Sequence, residues 1–349
     1  MKKKVYLLFG MLAFSIFLII IFTLSKDSFK QSKSHTEYGF AMGTSISVTL
    51  YDKNENLDKI SDEIFAELKR IDEEVISWRS EVSRLYEVNS TYSVTDNVHL
   101  DNELYEVIND SLDICNSSRG ALDITLRPLL NLWNIESATK DSFFIPSDDD
   151  IANQLENVGY ENIKLTEDEK SISISKGNMI IDLGAVGKGY ALDVVRDTIK
   201  KYNLDGCIVS VGGSVIVCGS KPDESEWKVG IRNPQGNIDD MIGYLTFPAG
   251  SDICVSTSGD YEKYIEHQGK IYHHIIDRTT GFPADSGLAS VTVVCENGLF
   301  SDGLSTACFV LGYEKSLPIL KEYEAEGIFI DKDNNIIVTE GLKNNFNRN

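Results

Sequence analysis

The 349-residue chain is short of positive charge: 33 lysines and arginines face 54 aspartates and glutamates, a formal net charge of −21. Residues 1–33 hold six of those lysines against one aspartate, so the remainder is more acidic still. Such a surface repels nucleic acid and anionic lipid. Any phosphate handled by so acidic a protein needs a metal ion to supply much of the positive charge. None of the six cysteines forms a C-x-x-C pair, which argues against a zinc site. The glycine-rich turn at 184–189 is no P-loop, because its glycines are closely spaced and Gly189, not Ser or Thr, follows the lysine. No internal repeat is visible.

What is present begins with one long apolar run. Residues 5–24 contain no charge, and 20 residues of helix span about 30 Å, the thickness of a bilayer core. Lys2, Lys3 and Lys4 precede the run, which keeps the N-terminus in the cytoplasm and exports the rest. The run has no cysteine for a lipoprotein anchor. It reads as an uncleaved signal anchor over residues 1–24, with a cleaved signal peptide as the alternative. Residues 25–36 read as a linker, and 37–343 as one domain outside the cytoplasm, held at the cell membrane by a single span. Export permits disulfides. Cys207, Cys218, Cys254 and Cys295 nevertheless lie in apolar, strand-like runs, which favours buried free thiols.

Helical spacing appears at 57–76 and 103–116, with Ile60, Ile64, Leu68, Ile71 and Val75 on one stripe of the first. Residues 78–86 read as irregular. Alternation and turn signals predict strands at 43–50, 163–166, 171–175, 207–211, 215–217, 227–231, 241–247, 253–257, 261–266, 270–276, 288–295, 327–331 and 336–339. Residues 178–181 read as a buried strand. Two helices follow residue 300, the second with Pro318 near its start. Strands outnumber helices and many are joined as hairpins, so the expected class is α+β, with a mainly antiparallel sheet core and packed helices.

The chain is organised around Asp182-Leu-Gly-Ala-Val-Gly-Lys-Gly-Tyr190, followed by Asp193. A segment that turns through glycines into a helix gathers free N–H groups and a positive helix end at one point, and Lys188 adds a full charge. Four further stretches carry chemistry. Met42-Gly-Thr44 opens a strand. Ser256-Thr-Ser-Gly-Asp-Tyr261 is small and polar after an apolar run. His274-Ile-Ile-Asp277 ends another. In Ser301-Asp-Gly-Leu-Ser-Thr306, Asp302 and Thr306 stand four apart on one helix face. Each alone has a purely structural explanation; Asp302, for instance, reads equally as an N-cap.

Together with Ser83-Arg-Leu, Asn89, Gly120-Ala-Leu-Asp-Ile-Thr125 and Gly212-Gly213, these motifs run in the order found in one family. Over about residues 37–340 the sequence resembles the FAD:protein FMN transferases, the ApbE family. The resemblance implies an ApbE/T-fold-like domain that moves FMN from FAD to a threonine or serine of a target protein, with Mg²⁺ and release of AMP. It implies exported acceptor proteins carrying a flavinylation motif. By the same resemblance Met42, Trp78, Ala121, Leu122, Asp123, Asp182, Lys188 and Ile276 hold FAD, and the Ala185 carbonyl, Asp302, Thr306 and the Ser305 position surround the metal. His274 is the expected general base, since an unperturbed imidazole titrates near neutrality. The sequence departs from the family pattern at Ser210 and Ser214 around the double glycine, at Arg278 where proline is usual, and at Ser305 where some members carry an acid. A magnesium-dependent FAD pyrophosphatase and a non-catalytic flavin-binding protein are the competing expectations.

The topology is testable directly. Protease added to intact protoplasts is expected to remove the domain, and complete protection would contradict the outward orientation.

Overall fold

The computed structural model describes residues 33–349 apart from 54–55, 93–96, 140 and 238. The expected anchor and most of the linker lie outside the described residues. Among those described, no helix is long and apolar enough to cross a membrane.

An eight-stranded sheet forms the frame, in the order Lys33–Ala41, Thr44–Asp52, Gly206–Val211, Ser214–Gly219, Ser251–Gly259, Leu288–Cys295, Glu326–Asp331 and Ile336–Val338. Every neighbouring pair is antiparallel. Side chains alternate between its faces. Ile216, Cys254, Val293 and Phe329 join the helical core, while Val217, Val255, Val294 and Ile328 pack beneath a second sheet. Leu288–Cys295 is buried at all eight positions because both its faces are covered, which is why its sequence is almost unbroken in apolar and small residues. All six cysteines are free and buried.

The structure corrects several local expectations. Trp227–Arg232 and Met241–Phe247 do not continue the large sheet. They pair with each other, and Met241–Phe247 also with Phe346–Arg348, as a separate three-stranded sheet that seals Trp227 and Leu245 against the first. The chain is thus structured past the expected boundary at 343. Residues 33–36, read as linker, begin the edge strand. Arg84–Thr91 is a helix that buries Leu85 and Val88. Residues 178–181 form no ladder. There the Asn89 side chain substitutes for a neighbouring strand: its amide donates to the Ile181 carbonyl and accepts from the Ile181 N–H, both at 2.9 Å.

The helices cover one face. Leu57–Arg70 lays Ile60, Ile64 and Leu68 inward, and one wider turn, Ile71–Val75, keeps Ile71 and Val75 on the same side. Gly187–Tyr202 and Gly298–Leu311 cross with almost no space between them. A Cβ added to Gly189 would lie 2.0 Å from the Gly298 carbonyl oxygen, and one on Gly298 would lie 2.3 Å from the Gly189 carbonyl oxygen. The two helices also cap each other. Asp193, on the first, accepts from Gly298 N at 2.7 Å and Leu299 N at 2.9 Å at the start of the second. Asp302, on the second, accepts from Gly189 N at 3.0 Å in the first turn of the first. Each carboxylate satisfies N–H groups that a helix start leaves without intrahelical partners.

A smaller apolar cluster centres on Trp133, whose indole N–H donates to the Gly281 carbonyl at 2.7 Å. It joins the Arg127–Trp133 helix to the hairpin Tyr264–His267/Lys270–His273.

The crossing yields a prediction in which two effects oppose. Helix propensity alone gives Gly→Ala a gain of about 1 kcal/mol. At Gly189 the added methyl must push the helices apart, and overpacking costs about 1–3 kcal/mol. Gly189→Ala is expected to lower the urea midpoint, and an unchanged or raised midpoint would refute the contact.

Candidate active site

A cavity of about 870 Å³ opens where the first strands, the Gly187 helix end and the connection after Ser251–Gly259 converge. Its first wall carries Met42, Trp78, Ala121, Leu122, Asp123 and Asp182. Ala185 and Lys188 lie at the helix entrance, and His274, Ile276 and Thr306 complete the opposite side. The fold therefore brings eleven of the thirteen expected site residues to one cavity. The other two, Asp302 and Ser305, lie behind its surface.

Asp302 is 1% exposed. It is not the cap of its own helix, a role taken by Asn297, whose side chain accepts from Phe300 N. Its Oδ1 lies 3.3 Å from Lys188 Nζ and accepts from Ser214 Oγ at 3.2 Å, while Oδ2 holds Gly189 N. Ser214, one of the departures from the family pattern, thus supports this carboxylate directly. Burial works against the Lys188 ammonium, but Asp302 and then Glu262 raise its pKa, so it stays charged. Asp302 is accordingly a fully engaged buried group and not the N-cap of its own helix.

Thr306 stands one turn further along, its hydroxyl 3.0 Å from Ser258 Oγ. Ser305 is fully buried and donates to the Asp302 backbone carbonyl at 2.8 Å. Its hydroxyl is shared between its own helix and Ser258 Oγ, also at 2.8 Å, and brings no charge to the site. Among the described residues no three His, Cys, Asp or Glu side chains form a metal cage. One carboxylate, one hydroxyl and the carbonyl-bearing turn at Ala185 form an all-oxygen set. That set suits a hard divalent cation that takes its remaining ligands from substrate phosphate and water. The ammonium already seated beside Asp302 marks the spot as one that accepts positive charge.

The ring end of the cavity is built around Trp78. Arg127 lies over it, Cζ 3.7 Å from the ring centroid, and also contacts Asp182, Nη1 to Oδ2 at 3.3 Å. The indole thus lies against the Arg127 guanidinium, with the Arg79 guanidinium also near it, Cζ 5.1 Å from the ring centroid. Met42 sits with φ 54° beside Gly43 at φ 69°, the pair of positive φ values required by the tightest hairpin turns. Asp72 holds this unusual residue by accepting its N–H at 2.7 Å.

The Asp123 side chain is engaged within the protein. Its carboxylate has no exposed surface. It accepts from Thr125 N and Oγ1, Tyr160 N and Arg278 Nη1, the last at 3.0 Å. Only its backbone is left to face the cavity. Burial raises its pKa, and Thr125 and Arg278 act against that rise. Arg278 also reaches Glu161 at 2.9 Å, so the residue that replaces the usual proline clamps this loop.

His274 gives its backbone N–H to the Lys263 carbonyl at 3.1 Å, and its Nδ1 lies 3.3 Å from the same oxygen. A carbonyl only accepts, so Nδ1 carries the proton and Nε2 keeps its lone pair. Burial, then the Lys263 charge, pushes its pKa down to about 4, leaving it neutral and able to receive a proton.

Residues 42–329 match the model of the ApbE family. The chain belongs to the ApbE family. Among curated ApbE-family relatives, the FAD:protein FMN transferase of Treponema pallidum is 29% identical, with 89% of this chain and 88% of that protein covered. That of Klebsiella pneumoniae is 30% identical over 85% of this chain and 89% of its own. The crystal structure of the Thermotoga maritima ApbE protein superposes with a TM-score of 0.81 at 31% identity, covering 89% of this chain and 98% of that one.

Sequence reasoning missed Arg127 and Glu262. Arg127 stands two residues after the Gly120–Thr125 motif and received no role, since nothing local shows that it reaches Trp78 and Asp182. Glu262 directly follows Ser256–Tyr261 and faces the same cavity.

Histidine burial has a consequence for stability. His273 is 6% exposed, hydrogen-bonded through Nε2 to the Ala284 carbonyl at 3.0 Å, and its pKa is pushed down to about 4 by burial. The unfolded chain binds a proton near pH 6.5 that the folded chain refuses, so this group's contribution is present above pH 6.5 and is lost as pH falls toward 4. Full loss amounts to about 3 kcal/mol. Between pH 7.5 and 5, His273→Gln is expected to lose less stability than the parent in urea titrations; equal losses would contradict this.

Proposed function

We propose that this chain is a membrane-anchored FAD:protein FMN transferase that uses Mg²⁺ and modifies a threonine or serine of exported proteins. The observation that carries the reading is Asp302, fixed between Lys188 and the Gly189 N–H beside Thr306, just behind the surface of a cavity lined by Lys188, Thr306, Trp78 and a neutral His274. Family membership and the names of the relatives support the activity. The uncharged run at 5–24 after three lysines supports the anchor and the exported acceptor.

In this reading Trp78, in the cavity lining, packs against the flavin ring. Lys188 and the start of its helix attract the diphosphate. Asp302, Thr306 and the Ala185 carbonyl hold the metal; when bound, Mg²⁺ neutralises charge on the phosphoryl oxygens. His274 Nε2 takes the proton of the acceptor hydroxyl as its oxygen attacks the phosphorus on the flavin side. A P–O bond to the protein forms, the P–O–P bridge breaks, and AMP leaves with the bridging oxygen. The proton on His274 returns to solvent. Because the imidazole is neutral down to about pH 4, it is available throughout the physiological range.

The decisive variant is Asp302→Asn, which keeps the side-chain shape and an acceptor for Gly189 N but removes the charge. AMP release from FAD is expected to fall at least a hundredfold, with the parent's far-UV circular dichroism retained and some lowering of the melting temperature, since Lys188 loses its buried partner. Asp302→Ala should in addition lose about 1–3 kcal/mol of stability, since it strands a buried N–H. Near-normal AMP release from Asp302→Asn would defeat the reading, and free FMN in place of flavinylated protein would indicate the pyrophosphatase.

A further inference from the structure

The charges around Asp302 do not balance for a divalent cation. Lys188, 3.3 Å away, offsets the carboxylate, and Gly189 N and Ser214 Oγ draw on the same two oxygens. Ser305, buried and bonded to its own helix, adds no charge. A cation entering between this pair and an anionic diphosphate would have little fixed negative charge from the protein to hold it.

A second carboxylate lines the cavity. Glu262 lies in the connection between Ser251–Gly259 and Tyr264–His267. Its Oε1 would be 3.0 Å from a Cβ on Gly213, so it reaches over the double-glycine turn, and any side chain at 213 would displace it. That turn precedes Ser214, the residue that supports Asp302. Burial raises the Glu262 pKa; of the central pair, Lys188 acts against that rise and Asp302 adds to it. Among the described residues it has no hydrogen bond or ion pair within 4 Å. The other charged groups nearby are Lys263, which pairs with Glu136 at 2.7 Å, and Arg232, which lies over the Tyr261 ring at 4.6 Å. An uncommitted carboxylate repels an anionic substrate unless a cation stands between them.

Resting on the transferase reading above, we infer that Glu262 is the second carboxylate of the cation site, replacing the negative charge that Lys188 takes from Asp302. The cation is held from two sides, by Asp302 with Thr306 from the helix and by Glu262 from across the cavity, directly or through a water. Lys188 is then released toward the diphosphate.

The test uses Mn²⁺ as the probe and the full chain in detergent, with free Mn²⁺ read from its EPR signal in the presence of ADP. Glu262→Gln is expected to weaken Mn²⁺ binding tenfold or more, and Glu262→Asp to recover part of the loss. FAD binding in EDTA, followed by flavin fluorescence, should be unchanged or tighter in Glu262→Gln, because a repelling charge is gone. If Asp302→Asn loses Mn²⁺ but Glu262→Gln binds it as the parent does, the inference fails while the metal-site reading stands. If Glu262→Gln weakens FAD in EDTA as much as it weakens Mn²⁺, the residue serves the nucleotide and the inference fails. If the parent chain binds no Mn²⁺, the metal-site reading itself falls, and the inference with it.

Discussion

Two helices touch at Gly189 and Gly298, and each supplies the carboxylate that the other's first turn requires. Asp302 is buried and Asp193 half-buried, and burial raises the pKa of Asp193. What makes ionised carboxylates tolerable there is hydrogen bonding to backbone N–H groups at a positive helix end. The same contact fixes Lys188 relative to Asp302, because Gly189 is the next residue. Chemistry and packing therefore share one joint: moving the helices apart to admit a side chain would also separate the ammonium from its carboxylate.

Much of this was legible in the sequence, for a physical reason. Period-two alternation marks strands whether or not their partners are known, so most strand positions and the α+β class could be read. The motifs around 182–193 and 301–306 were visible because close backbone approach needs glycine and anion binding needs N–H groups, and both leave local traces. What stayed hidden depends on distant partners. Residues 178–181 look like a strand, yet their hydrogen bonds go to the amide of Asn89. Which sheet Trp227–Arg232 joins is a matter of register with Met241–Phe247, not of composition. The edge strand Lys33–Ala41 is polar along one face and presents Tyr38 and Phe40 to solvent at 78% and 73% exposure, so its beginning looked like linker.

The departures from the family pattern become intelligible at the level of contacts. Arg278 gives up the rigidity of proline and gains ion pairs to Asp123 and Glu161. Ser214 provides a hydroxyl to Asp302. Ser305, which carries no charge, folds back onto its own helix. Such substitutions preserve the frame of the cavity while changing how its charge is distributed, and no single position reveals that.

The three tryptophans are sorted by location. Trp227 is sealed between the two sheets and Trp133 in the cluster beside the hairpin, at 0% and 1% exposure, while Trp78 stands in the cavity wall under Arg127. Each indole thus reports on a different part of the protein. Trp78 alone of the three lines the cavity, so direct contact with a ligand falls on it. Loss of the sheet-to-sheet interface and loss of the hairpin cluster register separately at Trp227 and Trp133. The chain carries its own optical labels, one for occupancy and two for integrity, without any group being added.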